Sequence, residues 1–127
     1  MSKILTETEI NNFKKDGAIY LKGKFDKSWI NKLQKGIERD IKNPSPRFKS
    51  HTMEKGVPAY LEDYWTWDLV PEFNDFVFNS PYPKIASELM SAKKINLVMD
   101  NWFLREGGSK SSTPFHHDVS YFDMDGT

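Results

Sequence analysis

The sequence predicts an α+β fold, helical over most of its first 90 residues and β-rich beyond them. Two observations predict it. Apolar residues recur at helical spacing, between capping signals, in four stretches before residue 91. Beyond them, Ile95–Leu104 and Thr113–Phe122 are rich in β-favouring residues.

Length and composition bound the rest. A chain of 127 residues fits one domain with a modest core. Its aromatic content of 14% argues against disorder, although only 38% of the residues are hydrophobic. With 18 basic and 18 acidic residues it is no general binder of nucleic acid or acidic membranes. The absence of cysteine excludes disulfides and thiolate metal sites. Met1–Glu7 lacks the apolar core of a signal peptide, and no apolar run approaches membrane-spanning length. The expectation is a cytoplasmic protein without a membrane partner.

Thr6-Glu7-Thr8-Glu9 matches a capping box, with Leu5 and Ile10 placed to pack across it. The helix it opens should bury Ile10 and Phe13 and stop at Gly17. Ala18–Leu21 reads as a short strand. Asp26 or Ser28 can cap a longer helix with Trp29, Ile30, Leu33, Ile37 and Ile41 on one stripe. Pro44 and Pro46 end it. Arg47–Pro58 is polar, aperiodic and contains His51, so a mobile loop is expected, with His51 as surface.

Tyr60, Leu61, Tyr64, Trp65 and Trp67 form the densest aromatic cluster. Core packing is the favoured reading, and the wall of a ligand cleft is the alternative. Pro71 suits the first turn of a helix that turns Phe73, Phe76 and Val77 inward. Ser80-Pro81 starts another, burying Ile85, Leu89 and Met90. A long strand over 95–105 would put Met99, Asn101, Phe103 and Arg105 on one face.

The densest chemistry lies in Thr113-Pro114-Phe115-His116-His117-Asp118-Val119-Ser120-Tyr121-Phe122. On a strand over 114–122, His116 and Asp118 point the same way and His117 points the other. An imidazole and a carboxylate so placed can grip one cation, supplying two ligands of a 2-His-1-carboxylate triad. Spacing alone is a weak signal, since His-x-Asp arises often by chance. Glu106 and Lys110 read as solvated loop charges, and Gly107-Gly108 lacks the helix and lysine of a phosphate cradle.

The whole run resembles the landmark of the phytanoyl-CoA dioxygenase family of Fe(II)/2-oxoglutarate-dependent oxygenases. That landmark is Thr-Pro-aromatic-His-x-Asp-x-x-Tyr-aromatic, entered from a Gly-rich loop, here Glu106–Ser112, and followed by an Asp-Gly turn, here Asp125-Gly126. The N-terminal helix, Asp16-Gly17 and the helix opening at Phe25–Trp29 are also similar to the family. The resemblance implies N-terminal helices packed on a partial double-stranded β-helix, a jelly-roll-like barrel. It implies Fe(II) held by His116 and Asp118, with 2-oxoglutarate as cosubstrate and Asn101 as a candidate contact to it. An edge or surface polar residue is the equal alternative for Asn101. The reaction implied is hydroxylation of a small organic substrate by O₂, because Asp118 stands where related halogenases carry a small residue.

The family's second metal-binding histidine and its basic 2-oxoglutarate anchor come well after the His-x-Asp pair. Neither His nor Arg follows Asp118 here. Residues 1–127 are therefore expected to be the N-terminal portion of a single oxygenase domain, inactive alone. Two other readings stand beside this one. One is a non-redox metal- or sugar-binding β-domain, and the other a structural remnant of an oxygenase.

Overall fold

The computed structural model describes residues 3–52, 55–110 and 112–118. They form an α+β fold of four helices and a three-stranded antiparallel sheet. Thr6 opens α1 (Glu7–Asp16) as the capping box predicts. Its hydroxyl accepts from the Glu9 N–H, and the Glu9 carboxylate accepts from the Thr6 N–H. Gly17 ends the helix at φ 71°, a left-handed conformation that glycine adopts without a Cβ penalty. Ile10 and Phe13, expected inside, are only half-buried. The anchor of this end is Leu5, which is 3% exposed. The Ile4 and Leu5 N–H groups donate to the Glu88 carboxylate at 2.8–3.0 Å.

Ala18–Leu21 is not the strand its composition predicts. The described strands pair only with one another, and without a neighbour to complete a ladder this segment stays irregular, with Tyr20 85% exposed. Asp26 caps α2 (Lys27–Lys42) by accepting from the Ser28 and Trp29 N–H groups, and Asn43 closes it ahead of Pro44. Leu33 and Ile37 pack on the core, but Ile30 and Ile41 of the predicted stripe are exposed. The inward face is centred on Leu33, Gly36, Ile37 and Asp40, which leaves those two isoleucines on its rim.

At Gly36, α2 approaches α3 (Pro71–Asn79) closely. A Cβ there would stand 2.5 Å from the Phe73 ring, which is itself buried. Gly36→Ala should therefore lower stability by about 1–3 kcal/mol, although alanine is the better helix former. A urea titration reads this directly, and a raised midpoint would contradict the close approach.

Pro71 takes the first turn of α3, and Phe73 and Val77 are buried as predicted. Arg39 donates to the Glu72 carboxylate at 2.8 and 2.9 Å, and those bonds hold Glu72 below the usual carboxylate range. Helix α4 (Tyr82–Met90) buries Ile85, leaves Leu89 half-buried and exposes Met90, which was expected inside.

The sheet runs β1 (Lys49–Ser50), β2 (Tyr60–Tyr64), β3 (Asn101–Arg105) in spatial order. Glu62 pairs with Lys49 on one side and Phe103 on the other, and Asp63 lies opposite Trp102. Two predictions are corrected here. The Arg47–Pro58 stretch is no simple loop, since it contributes β1. Arg47 also donates to the Tyr64 and Trp65 carbonyls at 2.9 and 2.7 Å. The strand expected over 95–105 begins only at Asn101, because β2 offers a ladder partner no earlier. The back of the sheet packs on α2 and α3 around Val70, Phe73 and Trp102. No described helix is long and apolar enough to cross a membrane.

Candidate functional site

Period-two alternation gives the sheet a front face of Tyr60, Glu62 and Tyr64, opposite Arg105, Phe103 and Asn101. Leu61 and Leu104 turn to the core. The aromatic cluster therefore divides between the two readings. Leu61 and Trp67 pack in the core, whereas Tyr64 and Trp65 face a cleft in front of the sheet. Trp65 has φ 53°, a left-handed conformation costing a non-glycine residue on the order of 1 kcal/mol. Its carbonyl is held by Arg47, and the next residue, Thr66, donates its N–H and hydroxyl to Asp100 at 2.8 Å.

Residues 112–118 lie across the front of the sheet, with the Tyr60 hydroxyl 3.1 Å from Thr113 Oγ1. In its described part this segment is not the strand predicted over 114–122, because no described strand pairs with it. Val119–Phe122 and the Asp125-Gly126 turn lie outside the described residues. His116 and Asp118 still come together, Nε2 to Oδ1 at 3.6 Å. His116 Nδ1 is 2.8 Å from the Pro114 carbonyl, to which it donates. With Nδ1 so engaged, Nε2 is the ring nitrogen turned towards the carboxylate, and a cation placed between them, proton or metal, would satisfy both. Two ligands on one cation at bond lengths near 2.1 Å stand about 3.0 Å apart at right angles and about 3.4 Å apart at the tetrahedral angle, so the pair is slightly wider than either.

The pair lines two adjoining cavities of about 550 and 560 Å³, a size suited to a small organic molecule. Both are bordered by Met99, Asn101 and Thr113. The first adds Tyr64, Trp65 and Glu62, and the second Tyr60, Phe103 and Arg105. Asn101 thus stands on the same cleft as His116 and Asp118. His117 is exposed and lines neither cavity. A separate apolar cavity of about 330 Å³ lies behind Met99, among Leu33, Phe73, Val77 and Leu97. It has no histidine, and its carboxylate, Asp100, is engaged by Thr66, so the chemistry favours the front cleft.

Glu62 was not singled out from the sequence, whereas Tyr60 belongs to the aromatic cluster weighed as a cleft wall and Arg105 to the face carrying Asn101. Glu62 Oε1 is 3.2 Å from His51 Nε2 and 3.8 Å from Lys49 Nζ, and Arg105 lies over the Tyr60 ring at 5.7 Å. The signal was present as Tyr60-x-Glu62-x-Tyr64, one face of a strand, but the adjacent acids Glu62-Asp63 disguised it. His51, expected as plain surface, is a neighbour of this cleft, with its ring 4.7 Å from Tyr60.

Among the described residues, no three His, Cys, Asp or Glu side chains are grouped to hold a metal ion. The chain matches no known family profile, no curated protein and no solved structure.

Proposed function

We propose that residues 1–127 are the N-terminal portion of an Fe(II)- and 2-oxoglutarate-dependent oxygenase domain that hydroxylates a small organic substrate. On this reading the three strands are part of a double-stranded β-helix whose interior is the front cleft. The observation that carries it is the His116–Asp118 pair facing across 3.6 Å on a cleft of small-molecule size. One nitrogen and one oxygen donor suit Fe(II), and they fit two positions of a facial triad. A second histidine and a basic 2-oxoglutarate anchor would come from sequence later than Asp118, as the resemblance to phytanoyl-CoA dioxygenases implies.

Bound iron, with 2-oxoglutarate and O₂, supplies the oxidation of an unactivated C–H bond. The chain's own residues prepare for it. The Pro114 carbonyl accepts from His116 Nδ1, which would leave Nε2 to hold the metal. The Tyr60–Thr113 contact keeps this segment against the sheet. Tyr64, Trp65 and Met99 provide apolar surface that binds substrate and excludes water, and Asn101 offers an amide to 2-oxoglutarate.

A non-redox metal-binding domain is the second reading, favoured by the exposure of Asp118, whose side chain is 77% accessible. Cofactor demand separates the two. Turnover should require Fe(II), 2-oxoglutarate and O₂ together, and a chelator should stop it. Zinc occupies such ligands without redox chemistry, so zinc should inhibit. Activity with zinc and none with iron would move the protein to a hydrolytic or structural class.

A further inference from the structure

The front cleft carries a permanent positive charge that no described carboxylate pairs with. Of the chain's three arginines, Arg39 is held by the Glu72 carboxylate and Arg47 by the Tyr64 and Trp65 carbonyls. The third, Arg105, ends β3 on the front face and lines the second cavity. Among the described residues bordering the two cavities, it is the only arginine or lysine. Asp118, the carboxylate on the same cavity, is turned to His116 at 3.6 Å.

The guanidinium is held in place by its neighbours. Its carbon centre lies over the Tyr60 ring at 5.7 Å, and Nη2 donates to the Ser109 carbonyl at 3.3 Å. Tyr60 stands opposite Arg105 in strand register, so the pairing of β2 with β3 sets this contact. A guanidinium has five N–H donors in one plane. Lying on an aromatic face, it keeps donors at its edge, where a carboxylate can take two in parallel. A further donor stands close by. Of the Tyr60 and Thr113 hydroxyls, 3.1 Å apart, one donates to the other, which leaves the second O–H for a ligand. Thr113 borders the same cavity.

We propose that Arg105 is the anion-recognition residue of the cleft and that its ligand is a small monocarboxylate with an apolar body. The apolar body follows from what else borders the space. Phe103 and Met99 line the cavity of Arg105, and Tyr64 and Trp65 line the adjoining one. His116 and Asp118 border both cavities, so a ligand anchored at Arg105 with its body towards Trp65 passes this pair. Arg105 would so select the substrate of the proposed oxygenase, a role that rests on that reading, although carboxylate binding itself needs no metal. A carboxylate of 2-oxoglutarate offers Arg105 the same chemistry, and titration separates the two sources.

The test is an NMR titration of the metal-free, isotope-labelled 127-residue chain with hexanoate, and with hexanamide as its uncharged counterpart. Hexanoate should shift the Arg105 Nε–H and Asn101 amide signals to saturation and bind about tenfold or more tightly than hexanamide. Arg105→Gln should lose about tenfold or more of that affinity. Arg105→Lys keeps the charge without the planar fork and should lose less. Equal affinity for hexanoate and hexanamide in the wild type would overturn the assignment without recourse to any variant. So would hexanoate binding that Arg105→Gln leaves unchanged, or Arg105 signals that hexanoate does not move. Displacement of hexanoate by more tightly bound 2-oxoglutarate would give the site to the cosubstrate and overturn its assignment to substrate. Omitting metal keeps the result independent of the iron chemistry, whose failure would show in the cofactor requirement alone.

Discussion

On the proposed oxygenase reading, replacing His116 or Asp118 by alanine should lower Fe(II)-dependent succinate formation by two orders of magnitude or more in the full domain. Loss of one of three protein ligands leaves a site that neither retains iron nor orients it, and a lost outer partner alone commonly weakens metal binding 10–100-fold. His117→Ala is the internal control, because His117 borders neither cavity of the cleft and should keep most activity. The measurement is succinate release at saturating 2-oxoglutarate, with iron content determined on the same samples. Equal losses in all three variants would mean that the pairing of His116 with Asp118 is not what organises the site. Iron retained in both alanine variants, with activity lost, would move the ligands elsewhere.

Trp102→Ala should be the most damaging single change to the fold. Trp102 is 8% exposed, packs with Val70 and Phe73, and its ring centroid is 6.2 Å from that of Phe48. Truncating a buried tryptophan to alanine costs about 3–5 kcal/mol, from lost transfer energy and the cavity left behind. Domains of this size are stable by about 5–15 kcal/mol, so much of the folded population is at stake. The indole N–H adds a separable part through its bond to Asp40. Trp102→Phe keeps most of the ring and removes only that donor, and should cost on the order of 1–3 kcal/mol. Thermal unfolding by circular dichroism orders the three proteins, and a Trp102→Ala midpoint within 2 °C of the wild type would place the core elsewhere.

The features read correctly from sequence share a short reach. Thr6 with Glu9, Gly17, Asp26 and Pro71 act within one helical turn of themselves, so their types alone announce the helix ends. The nearness of His116 to Asp118 is likewise set by two residues of chain. The sheet required partners far along the sequence. Asp63 reads as a poor strand residue until Ser45, 18 positions earlier, supplies two of its donors. Lys49–Ser50 reads as loop until Leu61 and Glu62 lie alongside. Ala18–Leu21 shows the converse, since β-favouring residues without a neighbouring strand stay irregular. Ile30 and Ile41 fit a periodic stripe, but Gly36 and Asp40 decide which arc of α2 is inside. The cleft was legible in its two principal donors, in the Asn101 face and, as an alternative, in the aromatic cluster, whereas Glu62 joins it only through strand register.

The bonds from Ile4 and Leu5 to Glu88 bear on the order in which the molecule is made. Their donors are synthesised 84 and 83 residues before their acceptor. At about 5–20 residues per second, the segment ahead of α1 waits roughly 4–17 s for the helix that receives it. Helix α1 carries its own capping box and can form during that wait, but Leu5 has no pocket to enter until α4 exists. Residues 4–5 thus dock well after they are made. Until then a nascent-chain chaperone has a hydrophobic side chain within its reach.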